Sequence, residues 1–276
     1  MDDQAANNAK FYFDQNMTEP DVLPVAGGCA CVLSARCPGK ETPNEDAAAV
    51  IPVGAHSAVL VVADGLGGSA AGEQASRQAI ETLRSAIDDA RGTETLLRSA
   101  IISGFERANE AVQKLGVGAA TTLSVAEVTD GVVRSYHVGD SIVLVVGGRG
   151  KIKLQTVSHS PVGYGVEAGL LNESEAMHHD ERHVVSNVIG CPEMHIAIGS
   201  PIDLAPRDSL LLASDGLCDN LDWKDIVDEI RKGNLARSVA KLAAVSTDRM
   251  NHHEEGCPSK PDDLTLIALR LGRRRC

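Results

Sequence analysis

The order of elements along the chain predicts an α+β domain, with antiparallel sheets packed against each other and covered by paired helices. Three features carry this reading. Short runs rich in Val, Ile and Ala come in blocks, helical patterns come in pairs, and Asp130-Gly131 joins two of the runs as a tight hairpin. The steady strand–helix alternation of a parallel, doubly wound sheet is missing.

Taken in order, residues 1–25 are polar, with Asn7-Asn8, Pro20 and Pro24, and read as an N-terminal extension that Phe11, Tyr12 and Phe13 would dock on the body. The domain proper is expected to span 26–272, with 273–276 as a basic tail. Strands are predicted at 29–34, 47–52 and 58–63, where β-branched residues lie between turn formers. In 72–90, Ala75, Ala79, Leu83 and Ile87 recur every fourth residue. In 94–115, Leu97, Ile101, Phe105, Ala108, Val112 and Leu115 form a second stripe, with Thr93 as its N-cap. A second β region covers 121–128, 132–138, 141–146 and 151–157, the last reached through Gly147-Gly148-Arg149-Gly150. Residues 160–185 read as an irregular insertion or flap. A strand at 210–213 precedes helices at 223–232 and 235–249, with Asp222 and Asp225 as a capping pair for the first. A polar loop at 251–261 leads to a last strand, 264–271.

Composition narrows the function. Hydrophobic residues make up 43% of the 276, enough for a sizeable core, yet aromatics are only 3%, so Ala, Val, Leu and Ile must build it. A net charge of -12 disfavours nucleic acid, whose binding depends on Lys and Arg, and favours cations. No stretch is long and apolar enough for a membrane span, and no basic-then-apolar leader is visible. The seven cysteines (29, 31, 37, 191, 218, 257 and 276) are odd in number and scattered, which suits a reduced, cytoplasmic setting.

The chemistry is written in where the carboxylates fall. Glu45-Asp46 precedes one strand, Asp64 ends another, Asp140 sits between two, Asp215 ends a fourth, and Asp262-Asp263 precedes the last. Taken singly, Asp64-Gly65 and Asp215-Gly216 are turn dipeptides and the rest solvated loop charges. Together they place carboxylates at the ends of strands, where they converge on one rim, repel one another and call for hard divalent cations such as Mg²⁺ or Mn²⁺. A rival reading treats 61–72 as a dinucleotide fingerprint. The Gly65, Gly67 and Ala70 spacing breaks the G-x-G-x-x-G pattern, Asp64 would face a pyrophosphate, and no βαβ unit follows. The histidines His159, His178, His179, His183, His252 and His253 form no recognisable zinc pattern and read as structural or solvated.

Six segments in order then resemble the motifs of the PP2C (PPM) family of Mg²⁺/Mn²⁺-dependent serine/threonine protein phosphatases: Asn44-Glu45-Asp46-Ala47, Ala63-Asp64-Gly65-Leu66-Gly67-Gly68, Thr121-Thr122-Leu123, Val138-Gly139-Asp140-Ser141, Ser214-Asp215-Gly216-Leu217 and Asp262-Asp263-Leu264-Thr265. The likeness runs from about residue 27 to 271. It implies a four-layer α/β/β/α sandwich with two metal ions in a cleft at one edge. Asp64 would bridge both ions, the Gly65 carbonyl would bind one, and Asp215 and Asp262 would hold the other. Glu45 would act through water, Asp46 would support the shell, and Asp140 with Asp215 would match a third, microbial-type site. Asp64, Asp215 and Asp262 are thus the expected catalytic set, and a hydroxide held between the ions the expected nucleophile on phosphoserine or phosphothreonine. The flap, which varies in this family, would influence substrate choice.

Two departures stand out. Leu66 takes the place of a histidine found in many eukaryotic members, as in bacterial-type ones. Glu41 stands where the family usually carries a phosphate-binding arginine, leaving Lys40 or Arg36 as nearby stand-ins. The missing arginine keeps a second reading open, a pseudophosphatase serving as a regulatory binding module, against which the retained Asp64, Asp215 and Asp262 argue. Phosphorylated proteins and a cognate Ser/Thr kinase are the partners the resemblance implies, with no nucleic acid and no membrane.

Overall fold

In the computed structural model, which describes residues 8–66, 70–116, 118–177, 179–182, 184–252, 254 and 256–272, two antiparallel sheets lie face to face. The first orders β1 (Lys10–Phe13), β4 (Ala47–Gly54), β5 (Ser57–Ala63), β8 (Leu123–Thr129), β9 (Val132–Val138) and β12 (Ala197–Ile198), with β13 (Ile202–Asp203) also on β9. The second orders β11 (Ile152–Gln155), β10 (Ile142–Val146), β14 (Ser209–Ala213), β15 (Leu264–Leu271), β3 (Gly28–Ala35) and β2 (Asp21–Val25). A two-stranded ribbon pairs β6 (Gly65–Leu66) with β7 (Ala120–Thr121).

Helices α1 (Ala70–Ala90) and α2 (Leu97–Leu115) cover the first sheet, while α5 (Asp215–Cys218), α6 (Trp223–Ile230) and α7 (Leu235–Asn251) cover the second. The result is the α/β/β/α sandwich, with three apolar layers. The period of two in β5 shows how one strand serves two of them. Val59, Val61 and Ala63 meet Leu83, Ile87, Ile101 and Phe105 of the helices, whereas Ala58, Leu60 and Val62 meet Val143, Leu212 and Ile267 of the facing sheet. Both faces are buried, so the strand reads as an unbroken apolar run. Each Val or Leu so buried contributes about 1.5–3 kcal/mol. The third layer sets Leu144, Leu211 and Leu266 against Ile226, Val239 and Leu242.

Several expectations need correcting. Residues 10–25 are no extension: β1 pairs with β4, Lys10 opposite Val50, and β2 pairs with β3, Asp21 opposite Val32, so each sheet takes an outer strand from the N-terminal segment. The period-two apolar signal there is short and crossed by Pro24, which an outer strand tolerates. Thr93 does not cap α2. Its hydroxyl donates to the Ala90 carbonyl at 2.7 Å and closes the turn after α1, and α2 starts past an uncapped Leu96. Asp222 stands at the N-cap of α6 but makes no side-chain cap, so the Asp222–Asp225 box does not form. The flap is not irregular. It holds α3 (Pro161–Glu167), capped by the Ser160 hydroxyl, and α4 (Glu173–Met177), where Asn172 and Glu175 cap each other reciprocally. Residues 1–7, Gly67, Gly68, His178, His183, His253 and the tail 273–276 lie outside the described residues.

Candidate metal centre

In an antiparallel sheet the start of one strand lies beside the end of its neighbour, and this brings the carboxylates together. Ala47 faces Ala63, so Asp46 and Asp64 flank the same edge. Ile142 faces Ala213 and Ala213 faces Leu266, which places Asp140, Asp215 and Asp262 at the corresponding edge of the second sheet. Both edges open on one rim. Asp64 feels the charges of Asp46, Asp215, Asp262 and Asp140.

Burial first, and that repulsion second, push the carboxyl of Asp64 well above the usual range; Asp46 is likewise raised well above it, by burial and then by Asp263 and Asp262, against the lowering hydrogen bond from Ser214. Asp140, Asp215 and Asp262 are also raised, each chiefly by burial, with neighbouring carboxylates adding to the rise and Lys260 opposing it.

The rim is stiffened from behind by hydroxyls and one amide. The Thr122 hydroxyl accepts the Asp64 N–H at 2.9 Å and bonds the Ser141 hydroxyl at 2.7 Å. Thr121 donates its hydroxyl to the Asp64 carbonyl at 2.8 Å. Ser214 donates to Asp46 Oδ2 at 2.7 Å and accepts the Thr265 N–H at 3.0 Å. Fully buried Asn44 accepts the Asp46 N–H at 2.9 Å and donates to the Ser34 hydroxyl at 3.1 Å. Asp263 is a staple: Oδ1 accepts Cys37 N–H at 2.7 Å, and Oδ2 accepts Glu45 N–H at 2.7 Å. Close backbone approach adds to this. A Cβ at Gly65 would lie 2.1 Å from the Gly72 carbonyl oxygen, and one at Gly72 would lie 2.4 Å from Glu45 Oε1. The first turn of α1 therefore seats directly on the Gly65 turn and on the Glu45 carboxylate.

Two lysines enter this acidic rim. Lys40 Nζ donates to Glu45 Oε2 at 2.7 Å and to Asp263 Oδ2 at 2.6 Å. Lys260 Nζ donates to Asp215 Oδ2 at 2.5 Å and lies 2.9 Å from Asp219 Oδ2 and 3.0 Å from Asp262 Oδ2. Arg36 is drawn elsewhere, its guanidinium 2.9 Å from Asp14. Of the two stand-ins for the missing arginine, the structure brings only Lys40 to the rim. Asp219 and Lys260 escape sequence reasoning because neither sits in a strand-end motif. The Ser214-to-Asp219 spacing on one short turn was the available signal.

The donor set fits hard divalent cations. It offers carboxylate and carbonyl oxygens, and Asp215 Oδ1 is buried with no hydrogen-bond partner. As the side chains stand, no three His, Cys, Asp or Glu among the described residues are drawn in tightly enough to coordinate one ion. The charges repel, and Lys260 holds Asp215 and Asp262 towards itself. Beside the rim a cavity of about 390 Å³ runs under the flap. Asp140, Asp215 and Asp219 line it together with the apolar Val162, Val166 and Trp223. Arg182 ties the flap down, donating to the carbonyls of Met177 and Ser259 at 2.6 and 3.2 Å.

The histidines form a separate stack. His137 and His159 rings lie 4.4 Å apart, His159 and His195 5.0 Å. Burial and the neighbouring imidazoles lower His159 to about 4. Cys218 lies on α5 beside the carboxylates, and burial, then Asp219, Asp215 and Asp140, push its thiol up, away from a nucleophilic thiolate.

Residues 35–251 match the profile of protein phosphatase 2C. The chain is 32% identical to protein phosphatase PhpP of Streptococcus pneumoniae over 196 residues, 68% of this chain and 79% of the relative. Its fold is similar to that of the PPM Ser-Thr phosphatase MsPP of Mycobacterium smegmatis, solved in complex with cacodylate, with a TM-score of 0.73, 27% identity, and coverage of 91% of this chain and 100% of the other. It is likewise similar to the serine/threonine phosphatase of S. agalactiae, with a TM-score of 0.75, 25% identity, and coverage of 88% and 99%.

Proposed function

The chain belongs to the protein phosphatase 2C family and is a metal-dependent protein-serine/threonine phosphatase, and from that premise we propose that its acidic rim holds two divalent cations, Mg²⁺ or Mn²⁺, for hydrolysis of phosphoserine and phosphothreonine. The observation that carries the assignment is the convergence of Asp64, Asp140, Asp215 and Asp262 on one rim, with a buried oxygen of Asp215 unpartnered. Asp64, the Gly65 carbonyl, Asp215 and Asp262 would hold the ions, with Glu45 acting through water.

When bound, the ions lower the pKa of water and offset charge on the phosphoryl oxygens. The chain's own residues prepare that chemistry. Thr121 and Thr122 fix the Asp64 backbone, and Ser214 and Asn44 hold Asp46 behind the ligands. Lys40 spends two of its three N–H bonds on Glu45 and Asp263 and keeps one for a phosphoryl oxygen, as the missing arginine would. Leu66 has no proton to give, so the leaving serine or threonine oxygen takes its proton from a water or another group. The cavity under the flap receives the substrate chain beside the phosphoresidue.

Phosphorylated proteins are the substrates, and a Ser/Thr kinase acting on the same proteins would be the opposing partner. A reduced cytoplasmic setting fits Cys191, Cys218 and Cys257, which carry no disulfide. No helix among the described residues is long and apolar enough to cross a membrane.

Metal-stripped protein assayed on a phosphothreonine peptide should be inactive in EDTA and recover with Mn²⁺. Turnover that survives EDTA would overturn the assignment.

A further inference from the structure

Lys260 lies on the loop between α7 and β15, and its position is set by backbone. Its N–H donates to Asn220 Oδ1 at 2.8 Å, and its carbonyl accepts from Asn220 Nδ2 at 2.9 Å. Asn220 is itself fully buried. The residue before it is held too: the Ser259 hydroxyl donates to the Arg249 carbonyl at 2.8 Å. The ammonium is thus delivered to one place, 2.5 to 3.0 Å from carboxylate oxygens of Asp215, Asp219 and Asp262.

The way Asp215 is divided is informative. Its Oδ2 is taken by Lys260, and its Oδ1 is buried and unpartnered. One carboxylate therefore faces a built-in cation on one side and has a single oxygen left for an ion on the other. Asp140, Asp215 and Asp219 line one cavity, and of these Asp140 and Asp219 are not among the ligands assigned to the two ions. An additional ion held by Asp140 and Asp215 would have to share Asp215 with an ammonium already in contact with it. Two positive charges so close together repel strongly in a partly buried setting.

We propose that Lys260 is a tethered cation that takes the place of a third divalent ion, so that the loaded centre of this phosphatase holds two. The inference rests on the metal-centre reading given above. A covalently attached charge has no association entropy to lose and cannot be stripped by chelators. It would offset part of the charge of Asp215, Asp219 and Asp262 whether or not the two ions are present. Lys260 is accordingly a positioning residue, acting through Asp215 and Asp262.

The test is a count of ions. Metal-stripped protein is titrated with Mn²⁺ by calorimetry, and bound manganese is measured by elemental analysis after equilibrium dialysis. The unaltered protein should bind two ions. Lys260→Met should bind a third, and Lys260→Arg, which keeps the charge, should bind two. Metal-free Lys260→Met should also melt lower than the unaltered protein and gain more from Mn²⁺. Lys260→Gln, which keeps a donor but not the charge, supplies the same comparison if the Met variant does not fold. Three ions in the unaltered protein, or two in both neutral variants with unchanged melting, would overturn the proposal while leaving the metal centre standing. No bound manganese in any form would overturn the metal centre and this proposal with it.

Discussion

Replacing Thr122 by Val removes one hydroxyl and almost nothing else. The two side chains have nearly the same shape, and the site is fully buried, so the change is chiefly a methyl in place of a hydroxyl, which must also back away from both former partners. Two groups lose their partner: the Asp64 N–H, 2.9 Å from the hydroxyl, and the Ser141 hydroxyl, 2.7 Å away. Ser141 is 1% exposed, so water cannot replace that bond. Each buried polar group left unsatisfied costs about 1–3 kcal/mol. The two together predict a loss of roughly 2–6 kcal/mol. In a domain of this size each kcal/mol lowers the melting temperature by about 2–4 °C. Metal-free Thr122→Val should therefore melt roughly 4–24 °C below the unaltered protein and shift its urea midpoint accordingly. Mn²⁺ affinity should fall as well, because the freed N–H belongs to the residue expected to bridge the ions. Thr122→Ser, which keeps the hydroxyl, should recover most of both losses. A Val variant within about 0.5 kcal/mol of the parent would show that the hydroxyl does not hold Asp64, and the account of a rim stiffened from behind would fail.

Asp64→Asn should reduce turnover of a phosphothreonine peptide by at least about a hundredfold, on the scale of losing one preorganised electrostatic group, yet melt higher than the parent without metal, since it relieves the penalty that burial and four neighbouring carboxylates place on that carboxyl. A destabilised metal-free variant would contradict the repulsion described here. Lys40→Met should raise KM for the phosphopeptide by about tenfold, the scale of one lost charge-assisted hydrogen bond, and an unchanged KM would remove Lys40 from the phosphate site. His159, lowered to about 4 by burial and by His137 and His195, is neutral in the folded protein, whereas the unfolded chain takes up its proton near pH 6.5. Its contribution is therefore intact above pH 6.5 and is lost as pH falls towards 4, by on the order of 3 kcal/mol at the limit. Denaturant unfolding of the parent and of His159→Asn at pH 7 and pH 5 should show the steeper loss in the parent; parallel slopes would refute it.

The interior strands were legible because burial on both faces leaves continuous apolar runs such as Ala58–Ala63, and the main helices because Ala75, Ala79, Leu83 and Ile87 mark one face. The convergence of Asp64, Asp140, Asp215 and Asp262 was legible because antiparallel pairing sends alternate strand ends to one rim. What escaped was local or long-range. The pair β12 and β13 is too short for any period to show. The reciprocal cap of Asn172 and Glu175 was visible as a motif but lay in a segment without an apolar stripe. Thr93 and Asp222 offered cap chemistry that the backbone did not use, because Thr93 was already spent on the turn before it. Lys260 lies outside every strand-end motif, and no spacing rule links it to Asp219 across 41 residues.

The placement of β15 has a consequence for how the molecule comes into being. It is the last strand in sequence, yet it lies in the middle of its sheet, with β14 on one side and β3 on the other. Until residues 264–271 are available, β3 and β14 face each other across an open slot, and Asp262, which leads into the slot, has no fixed place. A nascent chain can assemble the first sheet with α1 and α2 while still being made, but with Asp262 in its proposed role it would not yet be a catalyst. Activity arrives with the closing strand, all at once, and a fragment ending short of it should be both inert and sticky along two bare edges.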